Sequence, residues 1–175
     1  MVECGKKCLS LSRNIFFIMM INFTGEYDCK VDTKGRIMLP IAFRREMGEV
    51  EAYRFVIKKD MYEKCLELMT IEEWDRLCDD IQKNTRPYNP NDRKVQRIFR
   101  EGATEVECDP TGRLLIPGRL MKYAEITNET VLLGIKDKIE IWSPALYNDS
   151  CSDLETKSKL VELIMGDVTY KNEQQ

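Results

Sequence analysis

The sequence predicts an α+β fold: two tandem β-rich modules related by a pseudo-twofold axis, with short helices and a C-terminal helix. Three observations predict it. The stretch Asp32-Thr33-Lys34-Gly35-Arg36-Ile37-Met38-Leu39-Pro40 returns as Asp109-Pro110-Thr111-Gly112-Arg113-Leu114-Leu115-Ile116-Pro117, so one plan is written twice. Tyr27, Cys29 and Val31 alternate with polar residues before the first copy, the period of a half-buried strand. The proline that ends each copy opens a short apolar stretch suited to a helix. Two equivalent halves can pair about a local axis as identical chains do in an isologous dimer.

In chain order, residues 1–22 carry Lys6, Lys7 and Arg13 and then the apolar run from Ile15 to Ile21. That run is at the short end for a signal-peptide core, no small-residue cleavage site follows it, and it is far too short to span a bilayer. Met19 and Met20 stand just before the first patterned residues. The segment is therefore read as an extension from an upstream start codon or from cloning, with an extra strand as the alternative.

Residues 23–69 are read as the first module. A strand from Phe23 leads into the turn Asp32 to Gly35, and a second strand carries Ile37 and Leu39. Pro40 suits the first position of a helix running to Met47, with Gly48 as its stop. Ile41, Phe43 and Met47 do not share one stripe, so this helix is about two turns long. Strands follow at Tyr53 to Lys58 and Cys65 to Met69. Residues 70–101 form a helical connection. Thr70-Ile71-Glu72-Glu73 is a capping box, and Trp74, Leu77, Cys78 and Ile81 fall at helical spacing on one face expected to be buried. After the turn-rich Asn84 to Pro90, Asn91 or Asp92 is expected to cap a second helix through Phe99.

Residues 102–147 repeat the plan as the second module: a strand to Cys108, a turn at Asp109 to Gly112, a strand at Leu114 to Ile116, then a helix opened by Pro117. Strands at Thr130 to Ile135 and Lys138 to Trp142 follow. Ile139-Glu140-Ile141 answers Leu66-Glu67-Leu68, and Ser143 with Pro144 answers the cap at Thr70. Residues 148–175 hold a final amphipathic helix, Ser152 through Met165, and a tail.

Composition limits the chemistry. There is no histidine, which removes Ser-His and Cys-His nucleophile pairs and the usual general base near neutral pH. The seven cysteines are scattered without a C-x-x-C pair, the pattern of a reduced, cytosolic compartment, and they offer no zinc spacing. No catalytic residue, metal or cofactor is expected, nor a membrane or small-molecule partner. The net charge of -3 gives no global signal for nucleic acid, so a polyanion would have to be held by local basic patches.

In each repeated turn Asp can accept the guanidinium of the Arg four residues on, together with turn amides. Such pairs can simply brace the turns; equally, two arginine-bearing loops brought together can bind phosphate or pair bidentately with guanine. Phe23-Thr24-Gly25-Glu26-Tyr27, the two D-x-x-G-R turns with their prolines, Arg97 to Ala103 and Ile139-Glu140-Ile141-Trp142 resemble the bacterial MraZ family from about Met20 to Tyr147. The resemblance implies tandem SpoVT/AbrB-like modules. It also implies a cytoplasmic, nucleoid-associated transcriptional regulator that binds double-stranded DNA at promoter repeats upstream of its own cell-division and cell-wall genes, as a homo-oligomeric ring. Carried onto matching positions, it makes Arg36 and Arg113 the main DNA contacts and Lys34 an added phosphate contact. Asp32, Gly35, Asp109 and Gly112 order the loops. Arg44 and Arg45 are secondary basic-patch candidates, since helix-surface arginines can serve subunit contacts instead. Thr111 is not basic where Lys34 is, so the first loop is expected to matter more. The alternative function is a structural or protein-binding ring whose turns are subunit junctions.

Overall fold

The computed structural model describes residues 21–48, 53–151 and 157–165. The expected N-terminal extension lies almost wholly outside the described residues. The strands are β1 (Phe23–Lys30), β2 (Arg36–Met38), β3 (Arg54–Lys59), β4 (Leu66–Thr70), β5 (Thr104–Glu107), β6 (Arg113–Leu115), β7 (Glu129–Lys136) and β8 (Lys138–Trp142). The helices are α1 (Ile41–Glu46), α2 (Ile71–Asn84), α3 (Pro90–Phe99), α4 (Gly118–Tyr123), α5 (Pro144–Cys151) and α6 (157–165). One compact unit ends at Ser143; α5 and α6 belong to a second.

The six-stranded antiparallel sheet has the order β1-β7-β8-β4-β3-β5, and β2 pairs with β6 in a separate ribbon. Exchanging β1 with β5, β3 with β7 and β4 with β8 turns that order into its own reverse. This is the pseudo-twofold expected from the duplication. The axis passes through two self-equivalent pairs, Glu67 opposite Glu140 and Ile37 opposite Leu114. Each half completes the other: β1 pairs with β7, and β5 with β3.

Alternation along the strands sorts the two faces of the sheet. Ile57, Leu66, Leu68, Ile139 and Ile141 point to one core, together with Ile37 and Leu114 of the ribbon, Phe43 of α1 and Leu120 of α4. The neighbouring residues Lys58 and Glu67 point to the other face, where Lys58 Nζ lies 5.1 Å from the centre of the Phe99 ring at the end of α3. The helical hairpin α2–α3 and the β2–β6 ribbon therefore lie on opposite faces of the sheet.

Several local expectations change. The α2 face carrying Trp74 is half-buried, and no residue of α2 is fully buried. Trp74 packs flat against Phe99, 5.1 Å between ring centres, on the outer face of the sheet. The Thr70 hydroxyl caps α2 by accepting from the Glu73 amide, but the Glu73 carboxylate pairs with Arg76 and does not close the box. Asn89, not Asn91 or Asp92, caps α3, because Pro90 brings a preset helical φ to the first position and Asp92 is taken by Arg86. Pro40 and Pro117 sit one residue earlier than expected, as extended caps with ψ of 141 and 130°. The final helix is described at 157–165, and residues 152–156 of its expected start lie outside the described residues.

Candidate nucleic-acid interface

Each repeated turn is an Asp-centred knot. Asp32 Oδ1 accepts from the amides of Lys34 (2.8 Å) and Arg36 (2.9 Å), and its Oδ2 accepts from Arg36 Nε (2.7 Å). In the second copy, Asp109 Oδ1 accepts from the amides of Thr111 (2.9 Å) and Arg113 (3.0 Å), and Oδ2 from Arg113 Nε (3.1 Å). The Gly35 amide returns to Asp32 O and the Gly112 amide to Asp109 O. Both glycines have positive φ, 80 and 84°, a conformation that a side chain resists.

The two knots lock onto each other. Leu39 N donates to Gly112 O (2.9 Å) and Ile116 N to Gly35 O (3.0 Å), so each turn is bonded to the strand leaving the other. A Cβ on Gly35 would come within 2.9 Å of Met121 Sδ, and one on Gly112 within 2.9 Å of the Arg44 guanidinium. Both glycines are thus covered by a helix of the opposite half.

Between the knots the β2–β6 ribbon pairs Arg36 with Leu115, Ile37 with Leu114 and Met38 with Arg113. Ile37 and Leu114 point inward and are fully buried. The outward face is a tile of four residues: arginines at two diagonal corners, Met38 (46% exposed) and Leu115 (51% exposed) at the others. Diagonal positions of this kind are about 7–8 Å apart. Each arginine is half-buried with Nε held by its aspartate, and among the described residues neither has a hydrogen-bond partner on its terminal Nη groups. The paired Nη donors are the fork that matches phosphate or guanine.

The electrostatics follow the geometry. The Arg36 amide, then its guanidinium and the Lys34 amide, hold the Asp32 carboxyl below the usual carboxylate range. Asp109 lies lower still, with the Thr111 hydroxyl the largest cause and the Arg113 amide next. Both aspartates stay charged wherever the protein would work.

The sequence-predicted residues divide by position. Asp32, Gly35, Arg36, Asp109, Gly112 and Arg113 come together, and Lys34 is exposed at the tip of the first turn. Arg44 is half-buried: its Nε donates to Leu39 O (3.2 Å) and it covers Gly112, whereas Arg45 is exposed at the end of α1. Thr111 and Met121 were missed. The Thr111 hydroxyl donates to Asp109 Oδ1 and accepts from Arg113 Nε, work that Lys34 cannot do in the first copy. A threonine two residues after an aspartate is a recognisable turn signal. Met121 can be found only by aligning it with Arg44 in the repeat.

Among the described residues no group of three or more His, Cys, Asp or Glu is placed to hold a metal ion. Burial pushes the Cys108 thiol up to about 11 and raises Cys29, Cys65 and Cys78 as well, away from a reactive thiolate. Among the described residues no helix is long and apolar enough to cross a membrane.

Comparison with protein-family models matches the model described as MraZ protein, with an antitoxin-like label, twice: over residues 22–98 and over residues 99–160. The two matches follow the two halves of the fold and together cover most of the sequence. On this match, and on the paired turns that the pseudo-twofold brings into one ribbon, the chain belongs to the MraZ family.

Proposed function

We propose that the chain is a sequence-specific DNA-binding transcriptional regulator that lays the β2–β6 ribbon into the major groove. In this reading residues 23–69 and 102–147 are the two AbrB-like modules, joined by the connection 70–101. The protein acts in the cytoplasm on the nucleoid, at repeats upstream of its own cell-division and cell-wall genes. Family membership supports the regulator-like part of this reading.

The observation that carries the rest is the outward tile of Arg36, Met38, Arg113 and Leu115. A two-stranded ribbon fits the major groove, arginine pairs bidentately with guanine O6 and N7, and apolar side chains meet thymine methyl groups. Each aspartate orders its arginine before DNA arrives, which lowers the entropy lost on binding. Lys34, at the tip of the first turn, adds a phosphate contact that Thr111 does not. No cofactor enters this reaction. A ring of such ribbons would bind consecutive repeats with high effective concentration, which is how a chain with a net charge of -3 could hold DNA.

Genomic mapping of binding sites for the tagged protein, starting at Met20, tests the proposal and identifies the operator together. Enrichment at repeats upstream of its own operon is expected, with an affinity for that duplex that falls steeply with salt. No enrichment, or a flat salt dependence, would count against it.

One observation favours a second reading. Met38, Leu115 and Ile41 leave exposed apolar surface around the turns, as a junction between subunits would. Arginine substitutions would then dissociate the oligomer on size-exclusion chromatography.

A further inference from the structure

We propose that the outward face of α3 is a second, sequence-independent contact for duplex DNA, on the opposite side of the sheet from the ribbon. It extends the DNA reading, but the two sites can fail separately.

The surface arginines differ in how they are neutralised. Arg36, Arg54, Arg76, Arg86 and Arg113 each hold a carboxylate. Arg93 and Arg97 on α3 hold none among the described residues, and Arg100 at its end lies by the Cys78 thiol. These three fall at i, i+4 and i+7, one helical face. All three arginines are exposed, whereas Phe99, about a third of a turn round α3 from the stripe, is 6% exposed and stacked on Trp74. Arg97 and Arg100, at the C-terminal end, favour the helix dipole, whereas Arg93, nearer the N-terminus, opposes it.

Among the described residues, Arg93, Gln96, Arg97 and Arg100 line an open cleft of about 430 Å³. Thr85 Oγ1 accepts from Gln96 Nε2 and holds it in place. The outer arginines are about 10 Å apart along the helix axis. That length reaches more than one phosphate of a duplex, whose phosphates recur every ~3.4 Å of helix axis in each strand. Arginines that hold no carboxylate suit the phosphate backbone, whose contacts position a protein but read no sequence. Because α2–α3 and the ribbon cover opposite faces of the sheet, one copy would hold the operator on one side and a second duplex segment on the other.

The test uses the full chain carrying R36A/R113A and a random-sequence duplex, with affinity measured by fluorescence anisotropy between about 50 and 200 mM salt. This variant should still bind the random duplex in a salt-dependent way. Adding R93A/R97A/R100A should reduce the log-log salt slope by about 2.7, which is ~0.9 for each of three contacts. The same loss of charge at Lys64, Lys157 and Lys159 should leave the slope unchanged. An unchanged slope in the α3 variant, or an equal fall in the lysine control, overturns the second site. So does a changed oligomer mass or lost poly-glutamate binding with duplex affinity intact, which would assign the stripe to a protein contact. If R36A/R113A instead keeps full preference for the repeat DNA, the ribbon reading fails, and the α3 result stands on its own.

Discussion

At the scale of single residues, the loops depend on two aspartates whose charge is protected by donors from their own turns. Their folded pKa values are depressed, so the order they confer is complete above the unfolded carboxylate value near ~3.9 and is lost as the pH falls through the folded values. Asp32 should titrate first and Asp109 at lower pH, because only the second knot has a hydroxyl closing it. Carboxyl carbon NMR would show the order. The Thr111→Val variant should bring Asp109 up towards Asp32 and move the loss of that loop to higher pH; an unmoved Asp109 resonance would refute the role given to the hydroxyl. The Asp-Arg pairs were legible in the sequence because their spacing is local. The role of Thr111 was overlooked although its signal is also local. That of Arg44 was hidden, since a helix residue covering a glycine of the other half leaves no pattern in its neighbours.

At the scale of elements, the turns work only if glycine stays glycine. Gly35→Ala would place a β-carbon in left-handed backbone, costing about 1–2 kcal/mol, and 2.9 Å from Met121 Sδ. Urea unfolding should show the loss, and adding Met121→Ala should recover only the steric part. Strand and helix identities were legible because periodicity and turn residues are local signals. The burial of α2 was not: Trp74, Leu77, Cys78 and Ile81 have the spacing of a core face, but spacing cannot tell whether a second layer covers it. The sheet also hides a charge cluster that no period announces. Lys58 (1% exposed) and Lys138 both pair with Glu67 (7% exposed), beside Glu140 at the pseudo-axis. Glu67→Ala would strand the buried Lys58 charge and should cost about 3–5 kcal/mol in urea unfolding, while Lys58→Met with Glu67→Leu should recover most of it. Equal stability of the single and double variants would contradict this view of the cluster.

At the scale of the whole molecule, duplication turns a weak motif into a surface. One D-x-x-G-R turn is an ordinary Asp-Gly turn. Two of them, exchanged across a pseudo-twofold, make a single ribbon with arginines at diagonal corners and a buried pair on the axis. The repeat was readable, but the interleaving of strands from both halves was not, because pairing β1 with β7 is a long-range choice made by the core. The central claim is that this ribbon meets DNA through Arg36 and Arg113. The most direct measurement is the affinity of Arg36→Ala, Arg113→Ala and the double variant for the upstream repeat duplex, with oligomer mass and circular dichroism recorded on the same samples. A bidentate arginine contributes roughly 1–3 kcal/mol, so each single variant should lose about tenfold or more, and the double variant more still, with mass and fold unchanged. Full affinity in the double variant, or a collapse of the oligomer mass in either single one, would contradict it.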